Sequence, residues 1–169
     1  MRGWRLPPLV LGLIVLSGSA AAAAYARGQA LYTEHCALCH GADGQGLLVQ
    51  GKPWFPPLWG PQSYNWGAGM SRLDLAAGFI KANMPLGNGN SLGDQQAWDV
   101  AYYIDSHERP QNPRYLGSIE ATRRQFHDGP YATYGHTVHG HLLGVGSGVS
   151  GGSTVTQGAH GRTTTTLRD

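Results

Sequence analysis

The chain has 169 residues, with 12 Lys and Arg against 10 Asp and Glu and a formal net charge of +2. That leaves no basic excess for neutralising nucleic-acid phosphates, which excludes a nucleic-acid binder of that kind. Charged residues are only 13% of the chain, while 26 glycines are more than twice the average share, so loops and a glycine-rich tail are expected rather than one large core. Two cysteines are too few for a disulfide-dense scaffold.

Residues 1–26 read as a secretory signal peptide. Arg2 and Arg5 form a positive start, Leu9 to Leu16 a short apolar core, and Ala24-Tyr25-Ala26 a cleavage site among small residues. Export to a periplasm is the expectation, with membrane attachment only if this segment stays uncleaved. Without Arg2 and Arg5 the basic and acidic counts become equal.

Residues 27–40 are expected to form an entry helix that ends in Cys36-Ala37-Leu38-Cys39-His40. Residues 41–70 are rich in Gly, Pro and aromatics and carry no helical or strand periodicity. Two helices follow, each opening on a hydroxyl with a carboxylate three residues on, Ser71 to Asp74 and Ser91 to Asp94. The first runs through Leu75, Ala76, Phe79 and Ile80. The second places Ala97, Trp98, Ala101, Tyr102 and Ile104 on one apolar face. Arg109-Pro110 and Asn112-Pro113 end regular structure. A further helix is expected over residues 115–126. From His127 the chain is mostly Gly, Thr, Ser and His, a composition that predicts a largely disordered extension over 127–169, weakly ordered at its start. The expected class is all-α with long loops, folded over residues 27–126. Loops of that length inside a compact unit imply that something other than backbone pairing holds them.

Cys36-x-x-Cys39-His40 is the strongest motif. Two thiols three positions apart on a helical turn can form thioethers to the vinyl groups of one porphyrin, with the adjacent histidine beneath the iron, the signature of c-type haem attachment. A zinc site needs a second ligand pair, and the sequence has no other cysteine. A thioredoxin-like pair needs alternating strands and helices, which are absent. One haem c, covalent through Cys36 and Cys39, with His40 as proximal ligand, is the resulting expectation. Met84 is the candidate sixth ligand, since Pro85 forces it out of helical angles into a loop that can reach the iron. A thioether there gives electron transfer rather than substrate chemistry. Met70 is expected to pack on the haem, and His107 to serve a helix C-terminus or solvent. His127, His136, His139, His141 and His160 read as solvated tail residues rather than as a metal site. Trp54, Trp59 and Trp66 are expected to pack on the cofactor or to rim its edge.

These features resemble class I c-type cytochromes, and more closely the cytochrome c domain of the thiosulfate dehydrogenase family. The stretches that carry the resemblance are Cys36 to Gly46, Phe55 to Met70, Asn83-Met84-Pro85 and Ala97 to Pro110, and it covers roughly residues 27–144, since His127-Asp128 and Tyr134-Gly135 resemble that family's C-terminal extension. It implies a cytochrome c fold of short helices and long loops around one haem. The Pro56 carbonyl would accept a hydrogen bond from the proximal imidazole, and Leu58 would pack on the haem plane. Tyr64, Asn65 and Trp66 become candidate donors to the propionates or lining residues. Gly28 and Tyr32 are expected to meet Trp98 and Tyr102 where the first and last helices cross.

The resemblance also has departures. Enzymes of that family carry a second, catalytic haem with a cysteine ligand in another domain, and no cysteine is spare here. The segment ahead of residue 27 is expected to be too short for such a domain. The position before the methionine, a lysine in some of those enzymes, is Asn83, and Lys81 is a poor substitute. The expected function is therefore a periplasmic electron carrier between redox proteins, from a dehydrogenase donor to an oxidase or reaction-centre acceptor, rather than an enzyme. The alternatives are a haem-bearing enzyme or subunit acting on thiosulfate or tetrathionate, and a haem-based gas sensor or metal-binding module.

Overall fold

The computed structural model describes residues 8–148. Helix α1 runs over Pro8–His35 without a break at the expected signal boundary, followed by the short α2, Ala37–His40. Among the described residues no helix is long and apolar enough to cross a membrane. The remaining helices are α3 (Leu73–Asn83), α4 (Asp94–Asp105) and α5 (Ile119–Phe126), with a 3-10 turn at Gly69–Ser71. Two small antiparallel hairpins complete the fold, β1 (Leu47–Val49) with β2 (Lys52–Phe55), and β3 (Thr137–Val138) with β4 (His141–Leu142). The first hairpin lies in the stretch expected to lack strands. Its turn is Gln50-Gly51, both at positive φ, the backbone that a tight two-residue connection requires. Pairing there comes from the turn and not from alternating burial, since Leu47, Leu48 and Val49 are all exposed, so periodicity could not reveal it.

The main core is the crossing of α1 and α4, with α3 packed on α4. Ala76, Ala77 and Ile80 of α3 meet Ala97, Val100, Ala101 and Ile104 of α4, all buried. The crossing is close because of Gly28. A Cβ there would sit 2.0 Å from the Asp99 carbonyl oxygen and 2.8 Å from the Tyr103 Cβ. Arg27 then clamps the same residue, with Nε and Nη2 at 2.7 and 2.9 Å from the Asp99 carboxylate. Tyr32 lies between Trp59 and Tyr103, ring centroids 5.1 and 5.3 Å away. The partners at the crossing are therefore Asp99 and Tyr103, not Trp98 and Tyr102. Trp98 points to the surface beside Tyr131, and Tyr102 packs on a second cluster.

Neither expected capping pattern forms as written. Ser71 is buried and its Oγ donates to the Trp66 and Ala68 carbonyls, leaving Arg72 at the start of α3. At α4 the cap is Gly93, whose N–H donates to Gln96 Oε1 at 2.7 Å, half of a capping box without the hydroxyl. Ser118 does cap α5, its Oγ accepting from the Ala121 N–H at 3.1 Å.

The expectation of weak order beyond His127 does not hold as far as residue 148. Tyr134, Val138 and Leu143 are buried with Trp66 in a second cluster. His127 stacks on Tyr134 with centroids 4.3 Å apart, and the Tyr134 hydroxyl donates to Gln111 Oε1 at 3.0 Å. The segment is bound chiefly through the Glu108 carboxylate. Oε2 accepts from the Gly144 and Val145 N–H groups at 3.0 and 3.1 Å, while Oε1 accepts from Trp66 Nε1 at 2.5 Å. A few large apolar groups and one polar clasp order this stretch, a signal that average composition dilutes. Residues 149–169, expected to be disordered and holding His160, lie outside the described residues.

Two stability measurements test these contacts. Gly28→Ala should lower unfolding free energy by about 1–3 kcal/mol through overpacking, read from denaturant melts. Glu108→Ala strands buried donors and should cost about 2–3 kcal/mol, with a new protease-sensitive site appearing between residues 128 and 148 while the α1–α4 core stays protected.

Candidate functional site

Between the core helices and the long loop lies a cavity of about 460 Å³, within the ~300–1,000 Å³ range of small-molecule sites. Its walls are almost wholly apolar. Cys36, Cys39 and His40 line it from the turn after α1, and Trp54, Phe55, Pro56, Pro57 and Leu58 from β2 and its exit. Tyr64 and Met70 come from the loop and the 3-10 turn. Phe79, Ile80, Met84, Pro85 and Leu86 come from the end of α3, and Val100 and Ile104 from α4.

Helical bonds fix the cysteine turn. The Cys39 and His40 N–H groups both donate to the Cys36 carbonyl, at 3.1 and 2.9 Å, and the Gly41 N–H donates to the Ala37 carbonyl. The Tyr32 hydroxyl donates to the Gly41 carbonyl at 2.7 Å, tying this turn to the core. Gly44 lets the following loop close over Trp59, because a Cβ there would lie 2.2 Å from the indole. Across that loop the Leu58 N–H donates to the Gly44 carbonyl at 2.8 Å. The Pro56 segment is thereby brought to His40.

His40 Nδ1 is 2.9 Å from the Pro56 carbonyl oxygen. A carbonyl can only accept, so this geometry places the proton on Nδ1 and leaves Nε2 as a lone-pair donor. Cys36 and Cys39 are free thiols, and burial, reinforced by Cys39, pushes the Cys36 thiol up to about 11. Met84 terminates α3 in an extended conformation, φ −118° and ψ 149°, as expected of a residue before proline. Its thioether and that of Met70 both face the cavity.

The donor set is one oriented imidazole, two thiols and a thioether on an apolar wall. It suits a large apolar cofactor with a ligand-accepting metal and covalent anchor points. Among the described residues no group of three or more His, Cys, Asp or Glu side chains gathers to hold a bare metal ion, which leaves a zinc-type site without ligands. The tail histidines do not converge. His127, expected to be solvated, is buried and bonds Asn112; His139 lies tilted against Tyr25, and His136 and His141 are exposed.

Of the residues singled out from sequence, Cys36, Cys39, His40, Pro56, Leu58, Tyr64 and Met84 share this cavity. Trp66 does not. It is fully buried in the second cluster, and its N–H is taken by Glu108, so it can neither line the cavity nor donate into it. Trp59 is buried against Tyr32 and stacks on His107 at 4.1 Å, leaving Trp54 as the exposed member of the three. His107 donates from Nδ1 to the Tyr103 carbonyl at 2.8 Å, a helix-terminal role. Lys81 is held by the Leu92 carbonyl at 2.6 Å.

Sequence reasoning missed Asp105 and Arg109, which lie behind Tyr64 and are both fully buried. Arg109 Nη2 donates to Asp105 Oδ1 at 2.9 Å and to the Ile104 carbonyl at 3.0 Å, and its guanidinium lies 4.3 Å over the Tyr64 ring. The Tyr64 hydroxyl donates to the same Asp105 oxygen at 3.2 Å. The i, i+4 spacing of Asp105 and Arg109 was the available signal.

Residues 23–104 match the family described as cytochrome C oxidase, cbb3-type, subunit III. The thiosulfate dehydrogenase of Thiomonas intermedia is 57% identical over 120 residues, which are 71% of this chain and 38% of that protein. The thiosulfate dehydrogenase of Stutzerimonas stutzeri is 56% identical over 124 residues, 72% of this chain and 40% of its own length. The solved structure of thiosulfate dehydrogenase (TsdBA) from Marichromatium purpuratum superposes with a TM-score of 0.70 at 61% identity. That superposition covers 73% of this chain and 27% of the other. The chain thus spans about two fifths of the length of these curated relatives. The match over residues 23–104 and the shared fold give this chain a cytochrome c family domain, a family that implies haem c, similar to the thiosulfate dehydrogenases.

Proposed function

We propose that this chain is a periplasmic monohaem cytochrome that passes single electrons between redox proteins, with thiosulfate oxidation as the source of the electrons. One haem c would be held through the thiols of Cys36 and Cys39, with the His40 imidazole and the Met84 thioether as its iron ligands. The observation that carries this reading is the His40 Nδ1–Pro56 carbonyl bond at the wall of a cavity that both cysteines and Met84 also line. When bound, haem c supplies an iron that accepts and releases one electron.

The protein's own residues do the rest. The Pro56 carbonyl fixes the plane of His40 and raises its basicity as a ligand. Met84, presented by the extended end of α3, would offer the iron a soft thioether that favours its reduced form. Leu58, Ile80, Val100 and Ile104 exclude water, which limits the rearrangement that accompanies each change of charge. The exposed Trp54 and Leu86 at the cavity wall leave an apolar approach for brief docking. Docking partners are a dehydrogenase donor and an oxidase or reaction-centre acceptor.

A second reading rests on the similarity to the thiosulfate dehydrogenases: the chain is a haem-bearing, electron-accepting part of such an enzyme. Turnover of thiosulfate by the purified chain alone would overturn the carrier reading.

The oxidised protein should show a weak red methionine-to-iron charge-transfer band. Met84→Ala should abolish it, lower the reduction potential, and let the reduced protein bind carbon monoxide; a band unchanged in the variant assigns the sixth position elsewhere. Cys36→Ala combined with Cys39→Ala should leave haem extractable by acidified organic solvent, whereas the parent protein retains it through denaturing electrophoresis.

A further inference from the structure

The apolar cavity is backed by one ionic cluster. Asp105 and Arg109 are completely buried, an arrangement that costs stability unless every polar atom is satisfied. They are not. Among the described residues Asp105 Oδ2 and Arg109 Nε find no hydrogen-bond partner, although Asp105 Oδ1 is shared by Arg109 and Tyr64. Tyr64 is also part of the cavity wall, as are Leu58 and Ile104, whose carbonyls accept from the Arg109 guanidinium. The cluster therefore spans from an unpartnered carboxylate oxygen to the surface of the cofactor site. No step separates them beyond one phenol ring.

We propose that Asp105 is a proton-binding site coupled to the iron, taking up a proton at Oδ2 when the iron is reduced and releasing it on oxidation. This rests on the haem reading above. The balance is one electron from the redox-protein donor and one proton from solvent; the Asp105 carboxylate becomes a carboxylic acid, and both leave again on oxidation. Asp105 is a positioning and tuning residue here, not an iron ligand. The groups facing its side chain are Arg109 from the end of α4 and Tyr64 from the loop, and the Thr133 hydroxyl donates to its backbone carbonyl at 2.8 Å. Its neighbours His107 and Glu108 turn away, towards Trp59 and towards Trp66 with Gly144.

The direction follows from electrostatics. Burial pushes the Asp105 carboxyl up to about 6, against the opposing pull of Arg109 and Tyr64. An added electron behind Tyr64 disfavours the carboxylate further, because in a low-dielectric interior like charges repel strongly. The reduced protein then holds the proton to higher pH than the oxidised one. Reduction accordingly becomes harder as pH rises through that interval.

The test is the midpoint potential of the haem-loaded full chain, titrated spectroelectrochemically between about pH 4 and pH 8. The parent protein should lose potential with rising pH, by up to about 59 mV for each tenfold fall in proton concentration within the coupled interval. Asp105→Asn should remove that dependence while keeping the red charge-transfer band. Tyr64→Phe, which deletes a bond favouring the carboxylate, should keep the slope but shift its midpoint to higher pH. The reduced-minus-oxidised infrared difference spectrum of the parent protein should gain a carboxylic acid carbonyl band near pH 6, and this readout stands even where Asp105→Asn fails to fold. A flat potential, a slope retained in Asp105→Asn, an unmoved midpoint in Tyr64→Phe or the absence of that infrared band overturns the proposal. A purified chain without a Soret band would overturn the haem reading instead, so the two failures are distinct.

Discussion

The buried guanidinium of Arg109 joins the parts of this molecule that chain order keeps apart. Its donors reach Leu58 in the loop, Ile104 and Asp105 at the end of α4, and its face covers Tyr64 and Trp66 at 4.3 and 4.9 Å. Its backbone carbonyl accepts from the Ser147 N–H of the C-terminal segment. Burying such a pair costs on the order of several kcal/mol for each ion before the interactions are counted. An apolar residue of equal volume would avoid that desolvation cost. It could not bind two backbone carbonyls, a carboxylate and two aromatic faces at once, and so could not hold the loop in one register.

That register matters because the loop carries the site. Pro56 must stand 2.9 Å from His40 for the imidazole to present Nε2, and Leu58 must turn inward. Short-range pairing is too sparse to specify this, since the stretch between β2 and α3 holds one 3-10 turn and no longer element. Position is set instead by isolated long-range bonds: Leu58 to Gly44, Gly60 to Glu108, Trp66 to Pro110. Each joins a loop amide to a carbonyl on a segment that the core already anchors.

What was legible in the sequence follows the same division. Periodicity located α3 and α4, and the CxxCH spacing with Met84 before Pro85 located the principal cavity donors, because those signals are local in the chain. Pro56, Leu58 and Tyr64 came from family resemblance and do line the cavity. Trp66 was misplaced by the same reasoning. A tryptophan two residues from a cavity-lining tyrosine faces away when its N–H finds a carboxylate from elsewhere, here Glu108, and no local pattern announces that partner. The ordered stretch 127–148 was missed for a related reason. Its low hydropathy hides three apolar side chains that are fully or nearly buried, and its glycines at positive φ, such as Gly135 and Gly144, permit turns against Arg123 and Tyr134 that a side chain would block.

The second cluster also bears on how the cofactor site is insulated. The C-terminal segment covers the ionic cluster through two bonds, the Thr133 hydroxyl to the Asp105 carbonyl and the Ser147 N–H to the Arg109 carbonyl, while Trp66, against the Arg109 guanidinium, packs with Tyr134. Removing that cover would admit water to Asp105 and Arg109, whose burial depends on it. Solvation would favour the carboxylate and relax the constraint on Tyr64. The segment 127–148 is therefore part of the electrostatic environment of the site, although none of its residues lines the cavity. The domain separates two tasks: local motifs supply the donors of the cavity, and distant segments fix the dielectric around it.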